Sequence, residues 1–235
     1  MDGNGRWARR RHLPRAAGHR AGVATIRPVM EAFHEAGVHI LTLYAFSTEN
    51  WSRPRHEVAA LMRLFGDTID SEVGEMHAEG IQIRAIGDRS KLSPRLQQKV
   101  GAAEELTSAN TRAVLNVAIN YGGRDEIVAA VRDLASRGVD LTTLDADTLG
   151  CALYTAGLPD PDLLIRTAGE MRISNFMLWQ AAYAEIYVTD TLWPEFGAAD
   201  IGQAMAAYAG RDRRFGAVTG AAVEAEEAVV SPASR

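Results

Sequence analysis

The sequence predicts an α/β fold, a single domain with a mostly parallel central sheet flanked by helices. Three observations predict it. Apolar, β-branched runs at 38–46, 81–86 and 113–120 alternate with segments of helical periodicity. The run VHILTLYAF is apolar nearly throughout, which marks a strand covered on both faces. No internal repeat and no linker divides the chain.

In chain order, His19–Ala36 reads as a helix kinked at Pro28 and closed by Gly37. The strand 38–46 follows, and Pro54 suits the first turn of a long helix ending near Gly80. Along that helix Val58, Leu61, Met62, Phe65, Ile69 and Val73 form one stripe. Residues 81–86 and 113–120 read as strands separated by a polar helix that starts after Ser93-Pro94, and 123–137 as another helix. Short strands are expected at 162–166 and 185–188, and a last amphipathic helix at about 198–211. The tail 217–235 lacks periodicity and is expected to be disordered. In such sheets ligands bind beyond the carboxyl ends of the strands.

Composition narrows the function classes. The 235 residues can bury a sizeable core, and 25 basic against 30 acidic residues leave a formal charge of −5, no general attraction to nucleic acid. A single cysteine, Cys151, excludes an intrachain disulfide and suits a reducing compartment. No apolar run reaches the roughly 20 residues a membrane span needs. A cytoplasmic protein is expected.

Three blocks carry the candidate chemistry. Asp2-Gly3-Asn4-Gly5-Arg6-Trp7 precedes Arg9, Arg10, Arg11, Arg15, His19 and Arg20. Glycines on either side of Asn4 let backbone N–H groups turn toward an anion, and cations surround it. Asp2 fits that setting if Mg²⁺ bridges it to phosphate oxygens. Alone, the block reads more readily as a turn before a solvated basic run. Phe46-Ser47-Thr48-Glu49-Asn50-Trp51-Ser52-Arg53-Pro54 falls where a buried strand ends, and mixes polar with aromatic groups; alone it reads more readily as a capping loop with a Glu49–Arg53 surface pair. In Arg166-Thr167-Ala168-Gly169-Glu170-Met171-Arg172-Ile173-Ser174-Asn175-Phe176, two arginines six apart and a serine make a diphosphate clamp, since the guanidinium fork binds two phosphate oxygens at once. The apolar segment after it, with Glu185 at its edge, also reads as core. No Asp-Asp-x-x-Asp box, P-loop, G-x-S-x-G or metal-spaced Cys/His set occurs.

Together these stretches resemble the cis-prenyltransferases, also called undecaprenyl diphosphate synthases. The matching residues are MDGNGRWA at 1–8, RxxGHxxG at 15–22, LTLYAFSTENWSRP at 41–54, NYGGRDEI at 120–127, DLLIRTAGExRISNFMLWQxAYAEIY at 162–187, LWPEF at 192–196 and RDRRFG at 211–216. The resemblance implies a catalytic domain over 1–216, a homodimer, and an apolar tunnel between sheet and helices. It implies condensation of isopentenyl diphosphate with an allylic diphosphate, farnesyl diphosphate above all. Asp2 would contact Mg²⁺, with Glu185 helping to hold it. Gly3, Asn4, Gly5, Arg6, Trp7, Arg15 and His19 would hold the allylic diphosphate. Ser47, Thr48, Glu49, Asn50, Trp51 and Arg53 would lie beside the reacting centre, and Arg166, Arg172 and Ser174 would bind isopentenyl diphosphate. Arg214 and Gly216 resemble a motif that reaches into the partner's site. The proton acceptor stays open between Asn50, a substrate phosphate oxygen and a bound water.

Ala168 stands where glycine or serine is common in this family and Met171 where histidine occurs. Relatives carry an apolar strand before the aspartate, so we expect a strand upstream of residue 1, and a Met1 amino group that competes with Mg²⁺. Ala45 and Ala113 are small strand residues expected to face the tunnel, which favours a product of roughly C50–C55 for a cell-wall lipid carrier, on family analogy. A C15 or specialised-metabolism synthase is the alternative within the class, and a non-catalytic lipid-diphosphate-binding subunit lies outside it. No nucleic-acid partner is expected, and membrane contact would be peripheral, for product release.

Overall fold

Strands β1 (Ile40–Ser47), β2 (Ile81–Ile86) and β3 (Ala113–Tyr121) form from the three apolar runs and pair in parallel in the order β1-β3-β2. The computed structural model describes residues 1–211. Parallel neighbours need helical crossovers. These are α4 (Arg55–Ala78), leading from β1 to β2, and α5 (Pro94–Thr107), leading from β2 to β3. The α5 start is built by its own residues, because the Ser93 hydroxyl accepts the Leu96 N–H at 3.3 Å and Pro94 opens the first turn.

Side chains alternate across the strands. On one face Leu41, Leu43, Ile81, Ala113 and Leu115 pack against α3 (Ile26–Glu35) and α8 (Ala198–Ala209). Further along, Ala45, Phe46 and Ile119 meet Val58 and Leu61 of α4 and Leu96 and Val100 of α5. Phe46 reaches this face because the register shifts between Tyr44 and Phe46, so Phe46 pairs with Ile119. Ala45 and Ala113 therefore share a face but stand at its two ends. The other face carries Tyr44, Ile86, Ala118 and Tyr121 against Phe176 and Met177. Beyond it, α6 (Gly123–Ser136) and α7 (Ala146–Gly150) share a cluster of Ala130, Leu134, Leu149 and Leu153.

Strands β4 (Leu163–Arg166) and β5 (Glu185–Val188) pair in parallel as a second, two-stranded sheet. The sheet is thus parallel throughout but divided. Residues of β1 and β4 line one cavity of about 900 Å³ between the two parts. As expected, this apolar cavity lies between strands and helices: Val29 and Phe33 of α3 and Met205 of α8 share its lining with Leu41 and Leu43, whereas Ala45 and Ile119 beneath α4 and α5 are packed.

Two helical readings also change. Residues 19–36 are not one helix: α2 (Arg15–Ala24) and α3 meet at Thr25. Pro28 cannot donate to the Ala24 carbonyl, so the ladder breaks one turn before it. The expected Gly-Asn nest is instead the start of a short helix, α1 (Asn4–Arg10), with only Gly3 at positive φ, 108°. The tail 217–235, Arg214 and Gly216 lie outside the described residues.

Candidate active site

The carboxyl ends of β1, β3 and β4 point to the same region, and Asp2 is fastened there by its own backbone. Its N–H donates to the Thr167 hydroxyl at 2.9 Å, that hydroxyl donates back to the Asp2 carbonyl at 2.9 Å, and Trp193 N–H donates to the same carbonyl at 2.9 Å. The Asp2 carboxylate accepts from Gly3 N–H at 2.7 Å and from Arg166 at 3.1 Å. Its side chain remains 44% exposed, so a carboxylate held by its neighbours is still open to solvent. Burial lowers the Met1 α-amino pKa to about 6, against the pull of the Asp2 carboxylate.

Arg166 organises the clamp. Its guanidinium donates to Asp2, to the Arg172 carbonyl at 2.5 Å and to the Ser174 hydroxyl at 2.8 Å, while its Nε is buried without a partner among the described residues. The backbone that supplies these acceptors is strained: Ala168, Ser174, Asn175 and Met177 all have φ between 46° and 72°. Non-glycine residues in that region are uncommon and cluster at functional sites. Arg172 turns outward to Glu170 at 2.5 Å, and Glu170 also lies 3.7 Å from Arg6.

A second cavity, of about 810 Å³, is lined by Gly3, Gly5, Arg6, Arg9, Arg15, Glu170 and others. Asp2 and Arg172 line both cavities. The first also receives Ser47, Glu49, Asn50, Arg53, Arg166 and Ser174. One carboxylate and one arginine therefore stand where an arginine-rich recess meets a larger, mainly apolar one. An amphiphile with an anionic head fits that pairing.

The basic recess depends on close contact between α1 and α2. A Cβ at Gly18 would lie 2.0 Å from the Asn4 carbonyl oxygen, so only glycine fits there. Arg15 and Arg53 both approach Glu57, at 3.7 and 3.4 Å. Sequence reasoning missed Glu57, although an acidic residue in the first helical turn, four after Arg53, was the available signal. Thr167 and Asn175 fell within the third block but were given no role; their partners are Asp2, Gly123, Arg124 and Glu49, in distant segments that no local pattern reports.

Other expected residues have particular partners. The Asn50 carboxamide accepts from Ser47 N–H at 3.2 Å. Trp51 donates to Asn120 at 2.6 Å and meets Phe46 edge-on, so it braces β1 against β3. Arg11 lies over the Trp7 ring at 4.4 Å. The proposed Glu49–Arg53 surface pair does not form; Glu49 accepts from Asn175 at 3.0 Å and Arg53 turns to Glu57. Glu185 is not brought to Asp2 within the chain. It opens β5 opposite Leu163, whereas Asp2 lies at the other end of β4, and Glu185 is paired with Arg211. Among the described residues no group of three or more His, Cys, Asp or Glu is placed to hold a metal.

His19 gives a pH prediction. Its pKa is lowered, first by burial and then by Arg53, with Glu57 opposing and Arg15 adding to the fall. Its buried Nε2 has no partner among the described residues. As pH drops below the ordinary imidazole value of about 6.5, the unfolded chain takes up a proton that the folded chain resists. Stability should therefore fall with pH until the folded pKa is passed. Melting curves from pH 7.5 to 5 should descend more steeply for wild type than for His19→Gln; equal slopes would refute the assignment.

Comparison with known proteins agrees with this geometry. Residues 1–216 match the family described as "Putative undecaprenyl diphosphate synthase". An isoprenyl transferase of Heliobacterium mobile is 53% identical over 222 residues, covering 93% of this chain and 85% of that protein. A farnesyl-diphosphate-specific ditrans,polycis-undecaprenyl-diphosphate synthase of Xanthomonas oryzae pv. oryzae is 50% identical over 220 residues, covering 92% and 85%. Among solved structures, lavandulyl diphosphate synthase from Lavandula x intermedia, in complex with dimethylallyl diphosphate, superposes with a TM-score of 0.88 at 39% identity, covering 92% of this chain and 95% of that one. A probable undecaprenyl diphosphate synthase from Campylobacter jejuni gives 0.77 at 34% identity, covering 84% and 92%.

Proposed function

The chain belongs to the undecaprenyl diphosphate synthase family of prenyltransferases, and from that premise we propose that it condenses isopentenyl diphosphate with an allylic diphosphate, farnesyl diphosphate above all, to give a Z-polyprenyl diphosphate. The observation that carries the reading is the junction of the two cavities at Asp2 and Arg172. The allylic C–O bond breaks and the diphosphate leaves with the electron pair. The alkene of isopentenyl diphosphate attacks the allylic carbon, forming the new C–C bond, and the resulting cation loses a proton. Arg6 and Arg15 stabilise charge on the leaving diphosphate, while Arg166, Arg172 and Ser174 hold the diphosphate of the nucleophile. Two adjacent anion sites align the reacting carbons at little further entropic cost. The apolar walls of the larger cavity keep water from quenching the cation.

The donor set suits Mg²⁺ shared with a substrate. A lone exposed carboxylate ringed by arginines is a poor all-protein cage, but Mg²⁺ takes one or two carboxylates together with phosphate oxygens and water. Asp2 would hold it. Bound there, the ion would offset charge on the departing diphosphate. Glu185 enters this set only from another direction, such as a partner copy; a homodimer is part of the proposal. Among the described residues no helix is long and apolar enough to cross a membrane. A cytoplasmic enzyme with peripheral membrane contact for product release is the reading we favour.

Mg²⁺-dependent incorporation of labelled isopentenyl diphosphate, with chromatography of the dephosphorylated products, tests the proposal. Wild type should extend farnesyl diphosphate to about C50–C55, and no incorporation would overturn the reading. Ala45 borders the packed cluster under α4 and α5. If growing product displaces those side chains, Ala45→Leu should shorten it by several isoprene units; an unchanged product would remove Ala45 from chain-length control.

A further inference from the structure

Two separate segments contribute to the proposed chemistry, the turn Ser47–Arg53 after β1 and the clamp Arg166–Ser174 after β4, and they belong to different sheets. No strand pairing fixes their separation. We propose that Asn175 is the positioning residue that does so, tying both segments to the start of α6. The proposal rests on the functional reading above.

Asn175 follows Ser174 directly and shares its left-handed backbone, with φ of 62° and 48° respectively. Asn175 accepts at both of its oxygens: its carbonyl from Gly123 N–H at 2.7 Å and its side-chain Oδ1 from Arg124 N–H at 2.9 Å. Its Nδ2 donates to Glu49 at 3.0 Å. One residue thus spans the end of the clamp, the first turn of α6 and the middle of the β1 turn. A second strut runs beside it, from the Thr48 hydroxyl to Asp125 at 3.1 Å. The space is closed around Gly122, where a Cβ would lie 2.7 Å from the Asn175 Nδ2 and 2.8 Å from the Thr48 hydroxyl. Although burial opposes it, the Glu49 pKa is lowered by hydrogen bonds from its own backbone, Asn175, Ser47 and Thr48, so the acceptor in this tie is charged near neutral pH.

Asn175 and Glu49 line the larger cavity, and the role proposed for Asn175 there is positioning. Its role is to hold the reacting carbons at contact distance, where displacement of about 1 Å costs on the order of 10²-fold in rate. Asn175→Asp isolates that role. Aspartate tolerates the left-handed backbone and still accepts from Arg124, but it faces the Glu49 carboxylate instead of donating to it. Pairing it with Glu49→Gln restores the hydrogen bond with donor and acceptor exchanged.

The test measures steady-state kinetics of the whole chain with isopentenyl and farnesyl diphosphates and Mg²⁺, with thermal unfolding alongside. For Asn175→Asp, kcat should fall at least ~10-fold, with KM for each diphosphate within about threefold of wild type. The double variant should return kcat to within about threefold of Glu49→Gln alone. The proposal fails if Asn175→Asp keeps kcat within about twofold of wild type, or if the exchanged pair repairs melting temperature but not kcat. A wild-type chain that incorporates no isopentenyl diphosphate overturns the functional reading, and the kinetic role of the tie with it.

Discussion

Asp2→Asn should lower Mg²⁺-dependent incorporation of isopentenyl diphosphate by about 10³-fold, the scale of a lost transition-state charge partner, and leave the fold intact. Asparagine has the same shape and can still accept the Gly3 N–H now held at 2.7 Å. The backbone of residue 2 stays pinned by Thr167 and Trp193, because those bonds do not involve its side chain. What disappears is one negative charge, 44% exposed and 3.1 Å from Arg166. The pair is part-buried, Arg166 being 16% exposed, but Arg166 keeps its bonds to the Arg172 carbonyl and the Ser174 hydroxyl, so the cost to stability should be about 1–2 kcal/mol. Activity and stability should therefore separate: kcat collapses while the melting temperature moves by a few degrees at most. Raising Mg²⁺ should recover part of the activity if Asp2 acts through the ion. Equal turnover in Asp2→Asn would remove the carboxylate from the chemistry and, with it, the reason for placing magnesium here.

The strands and crossover helices were legible because each rests on local periodicity. VHILTLYAF is apolar along its length, and the α4 stripe repeats at helical spacing, so β1 and α4 appear close to where expected. Pro28 correctly signalled a fault in the helix, although its effect falls at Thr25, one turn earlier, because Pro28 has no N–H to offer the Ala24 carbonyl. The α1 helix was hidden by its glycines, which read as a turn. Gly18 shows why glycines cluster here: they permit helix contact, with the Asn4 carbonyl oxygen 2.0 Å from where a Cβ would stand. The candidate site was legible in its residue types and partly illegible in its partners. Arg53 looked suited to Glu49, four residues upstream, but packing turns it to Glu57 and gives Glu49 to Asn175, 126 residues away. Division of the sheet and the separation of Glu185 from Asp2 arise from three-dimensional register, which composition and spacing do not encode.

Arg166→Lys is expected to damage stability and catalysis together, and so to differ in kind from Asp2→Asn. The guanidinium fork reaches Asp2 on one side and the Arg172 carbonyl and Ser174 hydroxyl on the other. A lysine ammonium is a compact charge on a flexible stem and cannot span both sets. The side chain is only 16% exposed, so acceptors that lose their donor are poorly rehydrated. Hydrogen bonds to a charged group are worth about 1.5–3 kcal/mol each; losing one or two should lower the melting temperature by several degrees in a chain of this size. The strained backbone at Ser174 and Asn175 leans on those bonds, so the clamp should relax as well. KM for isopentenyl diphosphate should then rise by about 10²-fold, the loss expected for a bidentate charged contact, with a smaller change for the allylic substrate. Arg172→Lys provides the internal comparison. Arg172 is 63% exposed and paired outward with Glu170, so its replacement should raise the same KM while leaving melting unchanged. If both lysine variants melt like wild type, the Arg166 fork is not what holds the clamp, and the strained segment must be kept in place by its other ties, among them Asn175, the Tyr44–Phe176 stack and the Tyr44 hydroxyl on the Ser174 carbonyl.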